Sequence, residues 1–171
     1  MRRAPSLHSS KAARALRFAG DLLRRTEKEY ELFVQSLDIV GIGLASCVCS
    51  IDRSAYFKLK SKMLSFDHEY ELMKSEADYF DALGKFSVAT GPGGNNQPSL
   101  AIECAFMCHI LGKSPISKEH AERFTNSELR LVLVPYARQF VASITSRMYI
   151  PTLTLPLAVR SNASADLNEV E

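Results

Sequence analysis

Four stretches with the character of β-strands follow one another between residues 37 and 111, and this run restricts the chain to few folds. Residues 37–51 carry small and β-branched apolar side chains on both faces, which is typical of a covered strand. Residues 62–73, 78–90 and 99–111 alternate apolar with polar side chains, which is typical of strands with one solvated face. Strands that succeed one another without intervening helices favour an antiparallel sheet.

A helical pattern precedes the strands. Between residues 10 and 34, apolar side chains from Ala12 to Phe33 recur at alternating steps of four and three, which places them on one seam of a helix. Residues 1–25 also carry seven Lys or Arg residues and a single acid, Asp21. This segment is either a solvated helix or a nucleic-acid-binding module. The absence of interleaved aromatic residues makes nucleic acid the less favoured partner.

A second helix is predicted after the strands, from residues 125–127 to Arg147. Thr125 and Glu128 fit a capping box at its start, and apolar side chains then recur at steps of four and three along one face. Pro135 lies inside this pattern, where it removes a backbone hydrogen bond. We therefore expect the helix to kink or restart at Pro135.

Together these elements predict an α+β fold, in which a four-stranded antiparallel sheet packs with a long kinked helix and an N-terminal helix is added. The predicted divisions are a basic N-terminal helix (1–35), a main domain (36–158) and a polar, disordered tail (159–171). No apolar run approaches the roughly 18 residues of a membrane span, so no membrane insertion is expected.

The ionisable side chains form no pattern that predicts an enzyme. Asp67, Glu69 and Glu71 lie on the polar face of one predicted strand, which is most often a solvated face. His68 lies on the opposite, apolar face, where a hydrogen-bonded core histidine is the more frequent case than a general base.

The four cysteines, Cys47, Cys49, Cys104 and Cys108, are expected to be free thiols, since the sequence shows no secretory signal and disulfides are rare in reducing compartments. In a strand, Cys104 and Cys108 project to one face and His109 to the other. These three side chains then cannot share a zinc ion, so we expect no bound metal.

Residues 131–158 (LVLVPYARQFVASITSRMYIPTLTLPLA) resemble the signature of the SecB family of protein-export chaperones. In that family an apolar stretch leads into Pro-Tyr-x-Arg and a helix, an Arg follows near the helix end, and a Pro-bearing extended segment comes next. The order and spacing of the strands extend the resemblance to about residues 36–158. The matching residues are Pro135, Tyr136, Ala137, Arg138, Arg147, Pro151, Leu153, Leu155 and Pro156.

This resemblance implies a cytoplasmic, ATP-independent holdase rather than an enzyme, one that binds unfolded or nascent polypeptides during preprotein export. It implies a homo-oligomer, a dimer of dimers assembled through sheets and helices. It also implies contact with the motor protein SecA through acids on the exposed sheet, for which Asp38 and Glu103 are the candidates. No nucleotide, metal or other cofactor takes part in the family's function.

A client-binding groove is the minimum that a holdase requires. Pro135 interrupts the helix, and Pro151 and Pro156 hold the following segment extended, so helix and segment form two walls. Pro156 is also expected to swing Leu155 further from the core than Leu153. The candidate client-binding residues, each of which is either groove lining or core, are Tyr136, Phe140, Ile144, Tyr149, Leu153 and Leu155.

The chain departs from the SecB family at both ends. The family's C-terminal helix is absent, since residues 159–171 are short and polar, and the N-terminal helix is an addition. This combination is similar to the SecB-like chaperones that protect a specific antitoxin in toxin–antitoxin systems. Antitoxin protection is therefore the first alternative to preprotein export, and nucleic-acid binding by the N-terminal helix is the second.

Overall fold

The computed structural model of the protein describes residues 25–59, 63–92, 97–155 and 165–166. The basic segment 1–24, and with it most of the predicted N-terminal helix, lies outside the described residues. Most of the predicted disordered tail lies outside them as well. No helix in the described ranges is both long enough and apolar enough to cross a membrane.

One antiparallel sheet forms the body of the structure. Its long strands are β1 (Leu37–Ile51), β2 (Met63–Ser75), β3 (Tyr79–Pro92) and β4 (Pro98–Gly112), and the short β5 (Ala165–Asp166) pairs with the start of β2. The strand order is β1-β4-β3-β2-β5. The sequence patterns therefore predicted the four long strands and the antiparallel sheet correctly, with strand bounds within a few residues.

Four helices accompany the sheet among the described residues. They are α1 (described from residue 25 and ending at 35), α2 (Arg53–Lys58), α3 (Lys118–Ser127) and α4 (Leu129–Arg147). The first and last were predicted, whereas α2 and α3 were not. The α+β fold class is confirmed.

The N-terminal cap of α3 corrects the predicted capping box. Ser117 caps the helix, since its hydroxyl oxygen accepts a hydrogen bond from the His120 backbone N–H at 3.2 Å. Thr125 is instead buried inside α3 and donates to the Ala121 carbonyl at 2.8 Å. At the start of α4, Glu128 makes no side-chain cap. The predicted box at Thr125 and Glu128 is therefore wrong.

Removal of this cap gives a small, measurable effect. We expect Ser117→Ala to lower the free energy of unfolding by about 1 kcal/mol, because one donor at the start of α3 loses its partner. Glu128→Gln, at a position without a side-chain cap, is the matched control and should change it by less than about 0.5 kcal/mol. Urea unfolding measures both, and equal effects would contradict the assignment of Ser117 as the cap.

Helix α4 continues through Pro135 without restarting, and the break in the helical chain lies at Glu128, between α3 and α4. Pro135 lacks the N–H that would bond to the carbonyl of Leu131. Both residues are exposed, so this carbonyl can be hydrated instead. The exposed position is the physical reason why the helix tolerates the proline.

The core lies between one face of the sheet and helices α1, α3 and α4, and we call this the helix face of the sheet. Along β4 the even-numbered residues from Leu100 to Ile110 point into it. One cluster packs beneath α1, α3 and the first half of α4, and includes Phe80, Phe124 and Leu133. The second packs beneath the end of α4 and consists of Tyr56, Leu64, Val88, Leu100, Ile102, Val141, Ile150, Leu153 and Leu155.

Strand β1 is not the covered strand that its apolar residues predicted. It is the edge strand of the sheet, and most of its residues are exposed on both faces. Apolar side chains are among them, with Leu44 46% and Val48 65% exposed. The prediction failed because β1 is apolar on both sides, yet the described elements cover few of its side chains, Ile42 and Ile51 among them.

Candidate functional site

A row of partly exposed aromatic side chains lies along β2 on the helix face. Phe66, His68 and Tyr70 alternate with polar residues on this strand, so all three point to the same side. The ring centroids of His68 and Tyr70 are 5.2 Å apart, and those of Phe66 and His68 are 6.0 Å apart. We call these three residues the β2 aromatic row. They are half-buried rather than buried, which leaves part of each ring accessible.

The row continues into the core as a series of ring contacts that crosses the sheet. Phe66 stacks on Phe86 at 6.1 Å, and Phe86 meets Phe106 edge-to-face at 6.1 Å. Phe106 in turn meets Phe140 of α4 edge-to-face at 6.0 Å. Phe140 is half-buried and packs against both core clusters. The accessible rings of β2 and of α4 are thus joined through two buried rings, which hold them in place.

Gly84 allows the helix to approach the sheet beside the row. A Cβ atom at this position would lie 2.6 Å from Leu133 Cδ1 and 3.2 Å from Tyr70 Cε1. A side chain here would therefore displace the Leu133 side chain of α4 or the Tyr70 ring. Because Gly84 is directly opposite Tyr70 in the β2–β3 register, it leaves room for the Tyr70 ring beside the Leu133 side chain of α4.

Two polar atoms of the row are buried without a hydrogen-bond partner among the described residues. They are the Nε2 atom of His68 and the hydroxyl oxygen of Tyr70. Burial raises the pKa of Tyr70 to about 12, against a smaller lowering effect of the Arg130 charge. Tyr70 is therefore a neutral hydrogen-bond donor at physiological pH. The sequence predicted His68 to be a hydrogen-bonded core residue, and this prediction is wrong for its Nε2 atom, which has no partner among the described residues.

The β2 strand also has an open edge. On one side it pairs with β3, and on the other, within the residues that the structure describes, it pairs with β5 at Met63 and Leu64. From residue 65 to residue 75 no described strand lies on that side. A free strand edge presents backbone N–H and C=O groups that an extended peptide can pair with. The β2 aromatic row and this edge belong to the same strand.

The C-terminal end of α4 holds an exposed aromatic residue in an unfavourable backbone conformation. The N–H of Tyr149 bonds to the Ser146 carbonyl at 3.1 Å, and that of Ile150 to the Thr145 carbonyl at 3.4 Å, which is the pattern of a Schellman motif. Tyr149 occupies the left-handed position with φ 56°, where glycine is usual. It is 86% exposed, so packing does not explain a tyrosine here.

The six predicted client-binding residues do not form one surface. Tyr136 and Tyr149 are exposed, while Phe140 and Ile144 are half-buried against the cores. Leu153 and Leu155 belong to the second core, with 7% and 0% of their surface exposed. The expected order is therefore reversed, since Leu155 is the more buried of the two. The chain turns after α4, and the Leu153 N–H then donates to Oγ1 of the buried Thr145 at 3.2 Å, which holds the segment inward.

The opposite face of the sheet carries a concave groove of about 460 Å³, whose lining includes charged side chains but exposes mostly apolar surface. Glu103 lines it, together with Lys85, which bridges Glu69 at 3.6 Å and Glu71 at 3.0 Å. The second predicted SecA contact, Asp38, bonds to Lys113 at 3.2 Å and is not in this groove. Asp38 lies opposite Leu111 in the register, so the two acids share a face but are separated by roughly 27 Å along β4.

The cysteines and His109 have the orientations that the strand pattern predicted. Cys104 and Cys108 are buried on the helix face. His109 lies on the opposite face, where its Nδ1 contacts the Asp81 carboxylate. Among the described residues, no three His, Cys, Asp or Glu side chains are placed to hold a metal ion. Absence of bound zinc remains a prediction for metal analysis of the purified protein.

The β2 aromatic row was not among the predicted site residues. Its sequence signal, alternation of apolar and polar side chains, is the same for a covered and for an uncovered strand. The rings on β2 stay half-buried because α4 lies mainly over β3 and β4, which is a tertiary feature. One signal was present, since His68 is a polar residue on an otherwise apolar face.

Comparison with known proteins gives a likeness in structure. No family model matches the sequence, and no curated protein matches it. The fold is similar to that of a SecB-like chaperone from Mycobacterium tuberculosis, solved in complex with a ChAD peptide from the HigA1 antitoxin. The TM-score is 0.58 at 20% identity, and the match covers 73% of this chain and 93% of that chaperone. The fold implied by residues 131–158 is thus confirmed.

A weaker likeness links the chain to a protein of unknown function from Streptococcus agalactiae. The TM-score is 0.45 at 9% identity, and the match covers 71% of this chain and 97% of that protein. At this level the likeness carries no functional argument.

Proposed function

We propose that the protein is an ATP-independent chaperone that binds unfolded polypeptide segments in the groove formed by the β2 aromatic row, the open β2 edge and the accessible side of α4. The observation that carries this proposal is the placement of half-buried rings beside backbone groups of the same strand with which no described strand pairs. Unfolded chains offer these two partners, apolar side chains and free backbone, without a fixed shape. The fold likeness to a SecB-like chaperone supports the same proposal.

The groove has the features of a site for diverse sequences. Backbone pairing along a strand edge supplies affinity that does not depend on side-chain identity. Aromatic rings contribute apolar surface with little loss of conformational entropy. A chaperone of this kind requires neither a cofactor nor a catalytic residue, and it works in the cytoplasm, where nascent chains emerge.

Suppression of aggregation tests this function directly. The purified protein is added without nucleotide to a chemically denatured model protein, and light scattering is followed after dilution. We expect the scattering to fall in proportion to the added chaperone, since each bound client segment is withheld from aggregation. No change in the aggregation rate at a several-fold molar excess of the protein would contradict the proposal.

A chaperone of this kind either binds many unrelated clients, as in preprotein export, or protects one dedicated partner, such as an antitoxin. The M. tuberculosis chaperone was solved with an antitoxin peptide, and this favours antitoxin protection as the second candidate function. In preprotein export, SecA would contact Asp38 and Glu103, and these two exposed acids remain candidates for that role. Competition among unrelated unfolded peptides separates the two functions. Similar affinities favour a general holdase, whereas a large preference for one peptide favours a dedicated partner.

Tyr149 provides a test in which stability and binding change in opposite directions. We expect Tyr149→Gly to leave the thermal midpoint unchanged or raised, because a non-glycine residue in the left-handed conformation costs roughly 1–2 kcal/mol. We expect the same change to weaken client binding up to about tenfold, since it removes one accessible aromatic side chain. Calorimetry and peptide titration measure the two quantities.

The control for this variant is Leu32→Ala, which removes a 58% exposed side chain from α1. It should alter neither the midpoint nor the affinity. If Tyr149→Gly keeps full client affinity, Tyr149 is not part of the groove.

A further inference from the structure

Three of the four cysteines meet across the β1–β4 strand pair. Cys47 of β1 lies directly opposite Cys104 of β4, and Cys49 lies opposite Ile102. Opposite residues of an antiparallel pair point to the same face, so these thiols all lie on the helix face. Their exposure differs, because Cys47 is exposed, Cys49 is half-buried and Cys104 is 4% exposed.

The strand geometry distinguishes among the possible thiol pairs. Directly opposite Cα atoms lie about 4.5–5.5 Å apart, which is inside the range of about 4.4–6.8 Å that a disulfide spans. Cys47 and Cys49, two positions apart on one strand, are about 6.6 Å apart, at the limit of that range. Cys49 and Cys104 are diagonal neighbours at about 7–8 Å, outside it. Only Cys47 and Cys104 have the spacing of a disulfide without backbone movement.

We propose that Cys47 and Cys104 form a thiol–disulfide exchange site, at which a low-molecular-weight disulfide of the glutathione type oxidises the pair to an intramolecular cross-link between β1 and β4. The proposal is independent of the proposed chaperone function. It concerns a reaction of the folded chain with a small molecule, and it requires neither a client nor a partner subunit.

The order of the two exchange steps follows from accessibility. The Cys47 thiolate attacks one sulfur of the small disulfide, forms a mixed disulfide and releases one small thiolate, which takes up a proton. The Cys104 sulfur then attacks the Cys47 sulfur, loses its proton and displaces the second small thiol. Two protein thiols are oxidised to one disulfide, and one small disulfide is reduced to two thiols. Burial raises the pKa of Cys104 to about 12, so Cys104 does not begin the reaction.

The cross-link acts on the edge of the sheet. Strand β1 has register irregularities between Ile39 and Gly41 and between Leu44 and Ser46, the second of which lies beside the thiol pair. A covalent bond between Cys47 and Cys104 fixes the register on the C-terminal side of this irregularity. We expect the amides of β1 near Cys47 to exchange hydrogen more slowly in the oxidised protein than in the reduced protein.

The experiment exposes the full chain to mixtures of oxidised and reduced glutathione, quenches with acid, and measures intact mass and cross-linked peptides. We expect the mass to fall by two hydrogen atoms, with the Cys47 peptide joined to the Cys104 peptide. Cys49→Ala and Cys108→Ala should form the same cross-link, since neither residue is the partner. Cys104→Ala should instead accumulate a stable glutathione adduct on Cys47. Cys47→Ser changes an exposed residue and should form no cross-link.

Several outcomes would overturn the proposal. They are a glutathione adduct as the final product of the wild-type chain, a cross-link through Cys49 or Cys108, a disulfide between two chains on a non-reducing gel, or no reaction at all. Circular dichroism of each variant verifies that it is folded before its products are assigned.

Discussion

Leu155→Ala will lower the free energy of unfolding by about 2–5 kcal/mol. Leu155 has no exposed surface and belongs to the second core cluster, so its truncation leaves a cavity bounded by groups that cannot collapse fully. For a chain of 171 residues this corresponds to a fall in the thermal midpoint on the order of 10 °C. Thermal and urea unfolding provide the measurement.

The matched control is Leu131→Ala, which removes the same side chain from an exposed position on α4. Leu131 is 66% exposed, so we expect a change below about 0.5 kcal/mol. Client affinity at a temperature where both variants are folded should be close to wild type for Leu155→Ala. An unchanged midpoint together with a loss of client affinity would instead return Leu155 to the groove lining.

The second large effect concerns assembly. We expect the protein to be a dimer or tetramer whose protomers pair edge to edge through the backbone of β1, an arrangement that leaves the Cys47 thiol on the helix face within reach of a small molecule. This edge strand of 15 residues exposes apolar side chains on both faces. A long apolar strand edge is otherwise an aggregation site. Introducing Lys at both Leu44 and Val48 places charge on the two faces of the strand, and we expect it to convert the oligomer into a 19.0 kDa monomer.

Light scattering coupled to gel filtration measures this change at micromolar concentration. The control is Met73→Lys, a 49% exposed apolar residue on β2, which should leave the mass unchanged. A wild-type protein that is already monomeric at this concentration would contradict pairing through β1. Loss of assembly in the control as well would place the interface elsewhere.

Most of the fold could be predicted from the sequence because its elements are long and regular. The alternation in β2, β3 and β4 spans enough residues to exclude helix, and α4 repeats its apolar stripe over five turns. Helix α2 could not be predicted, since six residues are fewer than two turns and show no periodicity. Helix α3 buries only Ala121, Phe124 and Thr125, so its apolar signal is sparse.

The candidate site was less predictable because coverage is a tertiary property. Leu153 and Leu155 have the composition of a groove lining and the burial of a core, and only the backbone turn after α4 decides between them. The prolines at 151 and 156 predicted an extended segment, and residues 151–155, where the described part of this segment ends, are neither helix nor strand. Their presence carried no information about which side of the segment meets the sheet.

Two buried polar atoms, Nε2 of His68 and the hydroxyl oxygen of Tyr70, have no hydrogen-bond partner among the described residues. They bear on how the proposed client-binding groove would distinguish unfolded chains from folded ones. Each buried donor or acceptor without a partner lowers the stability of the free protein by roughly 1–3 kcal/mol. In the proposed chaperone, a client that displaces the groups covering these buried atoms and brings its own carbonyl or amide to them would recover that free energy in addition to the apolar contact. In a folded protein those carbonyls and amides are already bonded within helices and sheets. In the proposed chaperone, this part of the binding free energy is therefore available only to a chain with free backbone.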